Sequence, residues 1–321
     1  MRRLLPFVLA AWVGAVPAAT TDGGIAVFNL RLAATRAGES PDAIAPLLEQ
    51  ARFLGDLDAL RRAVTIAQAL PATADGWLLR ARVSAAVHEF DRALRELDAA
   101  AREGADERRI RLQRAAVLAA SDRAAEAHGL LGPACCADAA GLATRAIVLA
   151  HLGRHDAADR AFADALAALD TTSPFPAAWL HFARGVMWAE HAGDAARGER
   201  HYRLAVAVLP QFFLAQVHLA EIEVARGEVA AALGRLSMLA PSPANPEIDL
   251  LRGAILRRCG DEMDARSRFD AARRGYARLA DELPDAFAHH REAVERAART
   301  PAPRGGSRRP AGCTRLDRGG T

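Results

Sequence analysis

The feature that most constrains this chain is a turn signal that returns about every 33 residues. It reads Gly55-Asp56, His88-Glu89, Ala120-Ser121, Gly153-Arg154, Gly193-Asp194, Gly227-Glu228 and Gly260-Asp261. The first members are separated by 33, 32, 33, 40, 34 and 33 residues. Each turn lies between two stretches whose apolar residues recur at helical spacing. Glycine suits the place, because a helix that ends in a sharp turn often needs one residue in the left-handed conformation. The 40-residue interval is ascribed to an inserted, turn-rich stretch from Asp170 to Pro176.

The grid can be tested on side-chain size. Five residues after each turn come Leu60, Ala93, Ala125, Ala158, Gly198, Ala232 and Ala265, and twelve after it come Ala67, Ala100, Gly132, Ala165, Ala205, Leu239 and Ala272. Ten of the fourteen are Ala and two are Gly. Ala fills about a quarter of the chain, so composition alone would place only three or four there. Small residues are what two helices of a hairpin need where they approach closely. Nine residues after the turn a larger group stands: Val64, Leu97, Phe162, Tyr202, Leu236 and Phe269, with Gly129 the exception. A lone hairpin of this length cannot bury its apolar face, whereas a stack of them makes a continuous core.

The pattern resembles that of tetratricopeptide repeat proteins, with its small, large and small positions and an early aromatic. The nearest units are Gly260-Asp261 with Ala265, Phe269 and Ala272, and Gly193-Asp194 with Tyr202, Ala205 and Pro210; Trp77 stands at the early aromatic position of the second unit. The third unit departs from it, the early Trp is missing from most units, and a related helix-pair solenoid is the alternative. The resemblance implies an all-α, right-handed superhelical solenoid of about seven helix-turn-helix repeats over 41–283. A helix over 284–299 is expected to cap it, after a lead-in over 20–40. The Arg-, Gly- and Pro-rich tail, 300–321, is expected to be disordered.

Residues 1–19 read as an export signal. Arg2 and Arg3 precede the apolar run Leu4–Val16, and Val16-Pro17-Ala18-Ala19 offers small residues for cleavage. Thirteen apolar residues are short of the roughly 20 that span a bilayer, and no membrane span is expected in the mature chain. The phrase Asp285-Ala286-Phe287-Ala288-His289-His290 also looks like the ends of exported bacterial members of the family. A periplasmic or secreted location is therefore expected.

The basic residues number 42, all Arg, and the net charge is +3. Arg2, Arg3 and the tail, whose five arginines are offset by Asp317, together carry +6, leaving the body near −3. Such a body does not present the basic face that nucleic acid demands. The four cysteines, Cys135, Cys136, Cys259 and Cys313, contain no C-x-x-C pair, and Cys135 and Cys136 read as small semi-buried residues. His88-Glu89-Phe90-Asp91-Arg92 lacks the second histidine of a zinc-protease helix. His151 and His155 are separated by a turn, and no phosphate loop or nucleophile elbow occurs. No metal, cofactor or catalytic residue is expected.

In proteins of this family, ligands lie in a concave groove lined by the first helix of each hairpin. Six residues before the turns this places Glu49, Arg82, Arg114, Ile147, Met187 and Glu221 there; nearer the turns it places Arg52, His151, His191 and Arg258, and ten residues before them Leu78 and Ile110. The lysines and asparagines of the family's carboxylate clamp are absent. The expected function is a non-catalytic scaffold or adaptor whose groove takes a protein or peptide, acidic or amphipathic. The alternative is an accessory subunit, or an enzyme without a recognisable motif, in an envelope pathway.

Overall fold

The computed structural model describes residues 22–132, 136–239, 245–299 and Cys313. Over these residues the chain is helical throughout. A leading helix, α1 (Gly23–Ala37), and a 3-10 turn (Pro41–Ala43) precede seven antiparallel hairpins. These are α2 (Ile44–Leu54) with α3 (Leu57–Gln68), α4 (Ala74–Ala86) with α5 (Phe90–Arg102), and α6 (Glu107–Ala120) with α7 (Ala124–Leu130). Next come α8 (Ala139–His151) with α9 (His155–Ala167), and α10 (Pro174–Val186), prolonged by a π-helical turn (Met187–His191), with α11 (Ala195–Val208). The last two are α12 (Phe213–Arg226) with α13 (Val229–Met238), and α14 (Pro246–Arg258) with α15 (Glu262–Glu282); α16 (Pro284–Arg299) follows. The chain divides into two compact units, the first running to Phe212 and the second starting at Phe213.

The recurring dipeptide does two jobs. Its first residue ends one helix in the left-handed conformation: Gly55, His88, Gly153, Gly193, Gly227 and Gly260 all have φ between 63° and 81°. Its second residue donates its backbone N–H back into the helix just ended, as Asp261 does to Leu256 O at 3.0 Å and Asp194 to Trp188 O at 2.7 Å. Those bonds satisfy carbonyls that the helix end leaves open. Where the second residue is Asp, its carboxylate also caps the next helix. Asp56 accepts from Ala59 N, Asp194 from Arg197 N and Asp261 from Asp264 N.

The third turn sits two residues later than its expected place. Asp122, not Ala120, takes the positive φ of 60°, and Arg123 N donates to Leu118 O at 2.8 Å. Counting from Asp122 moves the small position from exposed Ala125 to Ala127, which is wholly buried. It also moves the bulky position from Gly129 to Leu131, which packs against Leu112. The weak third repeat is thus an ordinary one read in a shifted frame.

The 40-residue interval also needs correcting. The connection between α9 and α10 covers only 168–173, close to the length of its counterparts. The extra residues lie mostly inside the helix, because α10 and its π turn run from Pro174 to His191. A Cβ on Gly253 of α14 would lie 2.8 Å from the Phe269 ring, and one on Gly185 of α10 2.6 Å from the Tyr202 ring. These equivalent glycines let the bulky residue of the second helix seat against the first. Gly253 is the eighth residue of its helix and Gly185 the twelfth, so α10 begins one turn early. Past Gly185 the π turn absorbs one further residue.

That early turn has a packing consequence within the first unit. It carries Phe175, whose ring centre lies 5.0 Å from that of Phe53 on α2, and Phe53 lies 4.9 Å from Phe212. Phe182 joins the cluster, 5.0 Å from Phe212. The start of α1 rests on the same segment, since a Cβ on Gly23 would lie 3.1 Å from Pro210 Cδ. The first and fifth hairpins of this unit therefore meet.

In the second unit, Phe213, Val217, Val229, Leu236, Ile248, Leu251 and Ile255 form a core. Cys259, at the end of α14, is bonded to Cys313 with Cα atoms 5.5 Å apart, and both are buried in that core. The cysteine reading above does not foresee this bridge. The remainder of the tail, 300–312 and 314–321, lies outside the described residues, as do residues 1–21 and Cys135. Helix α16 packs on α15 and touches α14. Arg257 of α14 donates to the carbonyls of Ala297 and Ala298 at 2.7 and 2.8 Å, closing the last turn of α16.

Candidate functional site

The layering follows from which helices touch. In the first unit α2 meets α4, α4 meets α6, and α6 meets α8, all first helices of successive hairpins. The second helices pack back on the first helix of the next hairpin, α3 on α4, α5 on α6 and α7 on α8. In the second unit α12 meets α14, and α13 packs on α14. Within each unit the first helices thus lie together and the second helices pack against them. The candidate residues lie on first helices or, for Met187 and His191, on the π turn that prolongs one.

Within that layer their environments differ. Leu78 and Ile110 are buried in one apolar cluster with Ala81, Leu97 and Ala100, so they serve the packing of the second and third hairpins. Met187, first in the π turn, is buried as well. Arg114 is a quarter exposed and pairs with Asp98 of α5 at 2.6 Å. His191 is exposed and lies edge-on to His151, ring centres 5.0 Å apart. Glu221 approaches His218 Nδ1 at 3.8 Å. Arg258 lies over the Gly227 turn, Nη2 3.8 Å from where a Cβ there would stand.

Glu49 and Arg82, expected on an open groove, are instead 2% and 6% exposed, and Arg52 beside them is 8% exposed. Burial penalises a charge that water no longer solvates. It is the chief cause that lowers Arg52 from its ordinary value to about 10, with neighbouring Arg82 adding to it and Glu49 opposing it. Burial also lowers Arg82, against the pull of Glu49 and with a push from Arg109. Arg109 is itself paired with Asp75 at 3.0 Å. The Arg52 guanidinium stacks 4.8 Å from the ring centre of Trp179 on α10. Trp179 and the Phe53–Phe175 contact are absent from the sequence reading; the extra turn of α10 carries Phe175 to α2.

The fourth and fifth hairpins hold a second polar cluster. Asp159 of α9 accepts from Arg184 Nη2 at 2.6 Å and from Trp188 Nε1 at 2.8 Å. His181 and His201 stack nearby, ring centres 6.2 Å apart. No group of three or more His, Cys, Asp or Glu side chains is placed to hold a metal ion among the described residues.

These histidines give the fold a pH dependence. Burial lowers His151 to about 4, with His191 adding to it and Asp122 opposing; it lowers His201 to about 4, with Arg184 and His181 adding and Asp159 opposing. Burial alone lowers His218 to about 4. Between about 6.5 and 4 the unfolded chain binds these protons and the folded chain does not, so stability falls as pH falls through that window. Glu190 works the other way: burial raises it to about 7, so its contribution is lost as pH rises from about 4.5 to 7. Three histidines outweigh one carboxyl. Urea denaturation should give a lower midpoint at pH 5 than at pH 7.5, and a midpoint that rises on acidification would contradict the assignment.

The fold defines an all-α protein built of stacked antiparallel helical hairpins. No protein-family model matches the chain, and no curated protein does. Among solved structures it is similar, over 86% of its length, to the crystal structure of a tetratricopeptide repeat protein from Parabacteroides merdae ATCC 43184. That match has 14% identity and a TM-score of 0.45, and covers 98% of the other chain. It is also similar, again over 86% of its length, to the APC/C hetero-tetramer Cut9–Hcn1, at 13% identity and a TM-score of 0.46, spanning 52% of that chain.

Proposed function

We propose that this chain is an exported, non-catalytic scaffold of the tetratricopeptide repeat type that holds a protein or peptide partner on the layer of first helices. The observation that carries the reading is the layering itself. Successive first helices touch one another while the second helices pack behind them, and solenoids of this kind use the inner layer as an extended binding surface. Partly exposed Arg114 and exposed His191 on that layer are the contacts offered to an acidic or amphipathic partner. Two features support export: the signal-like residues 1–19, and the Cys259–Cys313 bridge, since disulfides persist in oxidising compartments. No helix among the described residues is long and apolar enough to cross a membrane.

The test starts from native protein drawn from an envelope fraction. Its mass should place the mature start near Ala19 or Thr20, and a pull-down should supply the partner. Arg114→Glu should then weaken binding about tenfold or more, because it sets a carboxylate against the partner and beside Asp98. Arg95→Glu, exposed on α5 in the outer layer, should leave binding unchanged. Equal losses from the two, or loss from Arg95→Glu alone, would move the partner off the inner layer.

A further inference from the structure

Helix α1 is apolar on two opposite faces. One, made of Gly23, Ala26, Val27, Leu30 and Ala34, is buried. The other carries Ile25, Phe28 and Leu32, which the helical period sets in one stripe. Ile25 is 47% and Phe28 65% exposed, and Leu32 is half-buried. Among the described residues five large apolar side chains are exposed, and these two are the only pair that share a helix. Single exposed apolar groups are ordinary on a protein surface, whereas a stripe of them marks a contact. With the cleavage proposed above, only two or three small residues would precede Asp22. They cannot cover a stripe that runs about 10 Å along the helix.

We propose that this stripe pairs two copies of the chain, α1 against α1, antiparallel about a two-fold axis beside Phe28. A two-fold contact needs a surface complementary to itself, and α1 presents one. The axis sets Phe28 against Phe28 of the second copy, and Ile25 against Leu32 of the second copy. The same register brings Asp22, at the start of the helix, opposite Arg36 in the last turn of the second copy. Both are exposed, and by the helical period both lie on one flank of the stripe, which a two-fold axis of this kind keeps together. Asp22 accepts from Ile25 N through Oδ1, so Oδ2 is the acceptor for the guanidinium. A parallel pair would instead set Asp22 against Asp22 and Arg36 against Arg36. Antiparallel order also places opposite helix ends side by side, which their dipoles favour. A face about 22 Å long offers less than the roughly 800 Å² per partner of a stable dimer, so the pair exchanges with monomer on the order of tens of micromolar. The contact uses α1 alone, and so goes beyond the partner surface described above.

Sedimentation velocity of the purified chain, from about 1 to about 200 µM, tests this. The mean mass should rise from one chain toward two as concentration increases. Phe28→Asp places a charge in the stripe and leaves the buried face of α1 untouched. It should stay monomeric throughout, with the circular dichroism spectrum of wild type. Arg36→Glu sets a carboxylate opposite Asp22 and should weaken association about tenfold. Asp22→Asn keeps the helix cap and loses the charge, and should weaken it severalfold. Met263→Asp, at a residue 80% exposed on α15, should associate as wild type does. The proposal is overturned if the chain is monomeric at the highest concentration, if Phe28→Asp pairs as wild type does, or if Met263→Asp loses as much. It is also overturned if Arg36→Glu leaves association unchanged, because the antiparallel register requires that contact. Arg114→Glu should leave the pairing intact, so the two surfaces can fail separately. Cleavage is read from the mass of the same sample, which separates a failure of the export reading from a failure of the pairing.

Discussion

Phe53→Ala is expected to destabilise the first unit by about 3–5 kcal/mol, the range for emptying a buried aromatic site. The side chain is 1% exposed and touches two rings from the far end of the unit, Phe175 and Phe212. Removing it leaves a void between the first and fifth hairpins, where rigid helices on both sides limit collapse. Phe28→Ala, at a residue 65% exposed on α1, is the control and should cost little. Chemical denaturation followed by circular dichroism measures both. Similar losses from the two would show that the hairpins do not meet as described.

The second large effect concerns the bridge in the second unit. Cys259 and Cys313 are 54 residues apart, and closing a loop of that length restricts the unfolded chain by roughly 4 kcal/mol on the entropic account. Reduction, or the double change Cys259→Ala and Cys313→Ala, should therefore lower the stability of this unit by about 2–4 kcal/mol. Both sulfurs are buried with Phe213, Val217 and Ile255, so reduction in native conditions should be slow and should speed up in mild denaturant. A non-reducing digest of native protein should yield the Cys259 and Cys313 peptides joined. Separate peptides, or equal stability with and without a dithiol reductant, would refute the bridge.

Much of the fold is legible in the sequence because a left-handed residue is a strong local demand. Glycine meets it at Gly55, Gly153, Gly193, Gly227 and Gly260, and those positions alone set most of the grid. The third turn is misread because Asp122 meets the same demand without being glycine, while Ala120 only sits at the expected distance. The lengthened α10 is hidden because one added helical turn preserves the apolar period on both sides of it, so the surplus looks as though it belongs to the loop. The bridge is hidden because a pair of cysteines 54 residues apart carries no spacing signal, and Cys313 lies in a stretch whose composition reads as disordered. The site residues show the sharpest limit. Helical period tells which face Glu49 and Arg82 occupy, but burial depends on how far the hairpins curve toward one another, which residues well outside those helices decide.

The meeting of Phe53 with Phe175 and Phe212 changes what kind of object the first unit is. An open stack of hairpins is a line: each repeat leans only on its neighbours, and the ends fray first. When the first hairpin also leans on the fifth, that line acquires a loop closure, and its opening hairpin is no longer a loose end. Melting can then begin at an end only after the aromatic contact gives way. The unit should behave less like a spring that lengthens under load than like a clasped bracelet, holding its curvature until the clasp opens and then losing it at once.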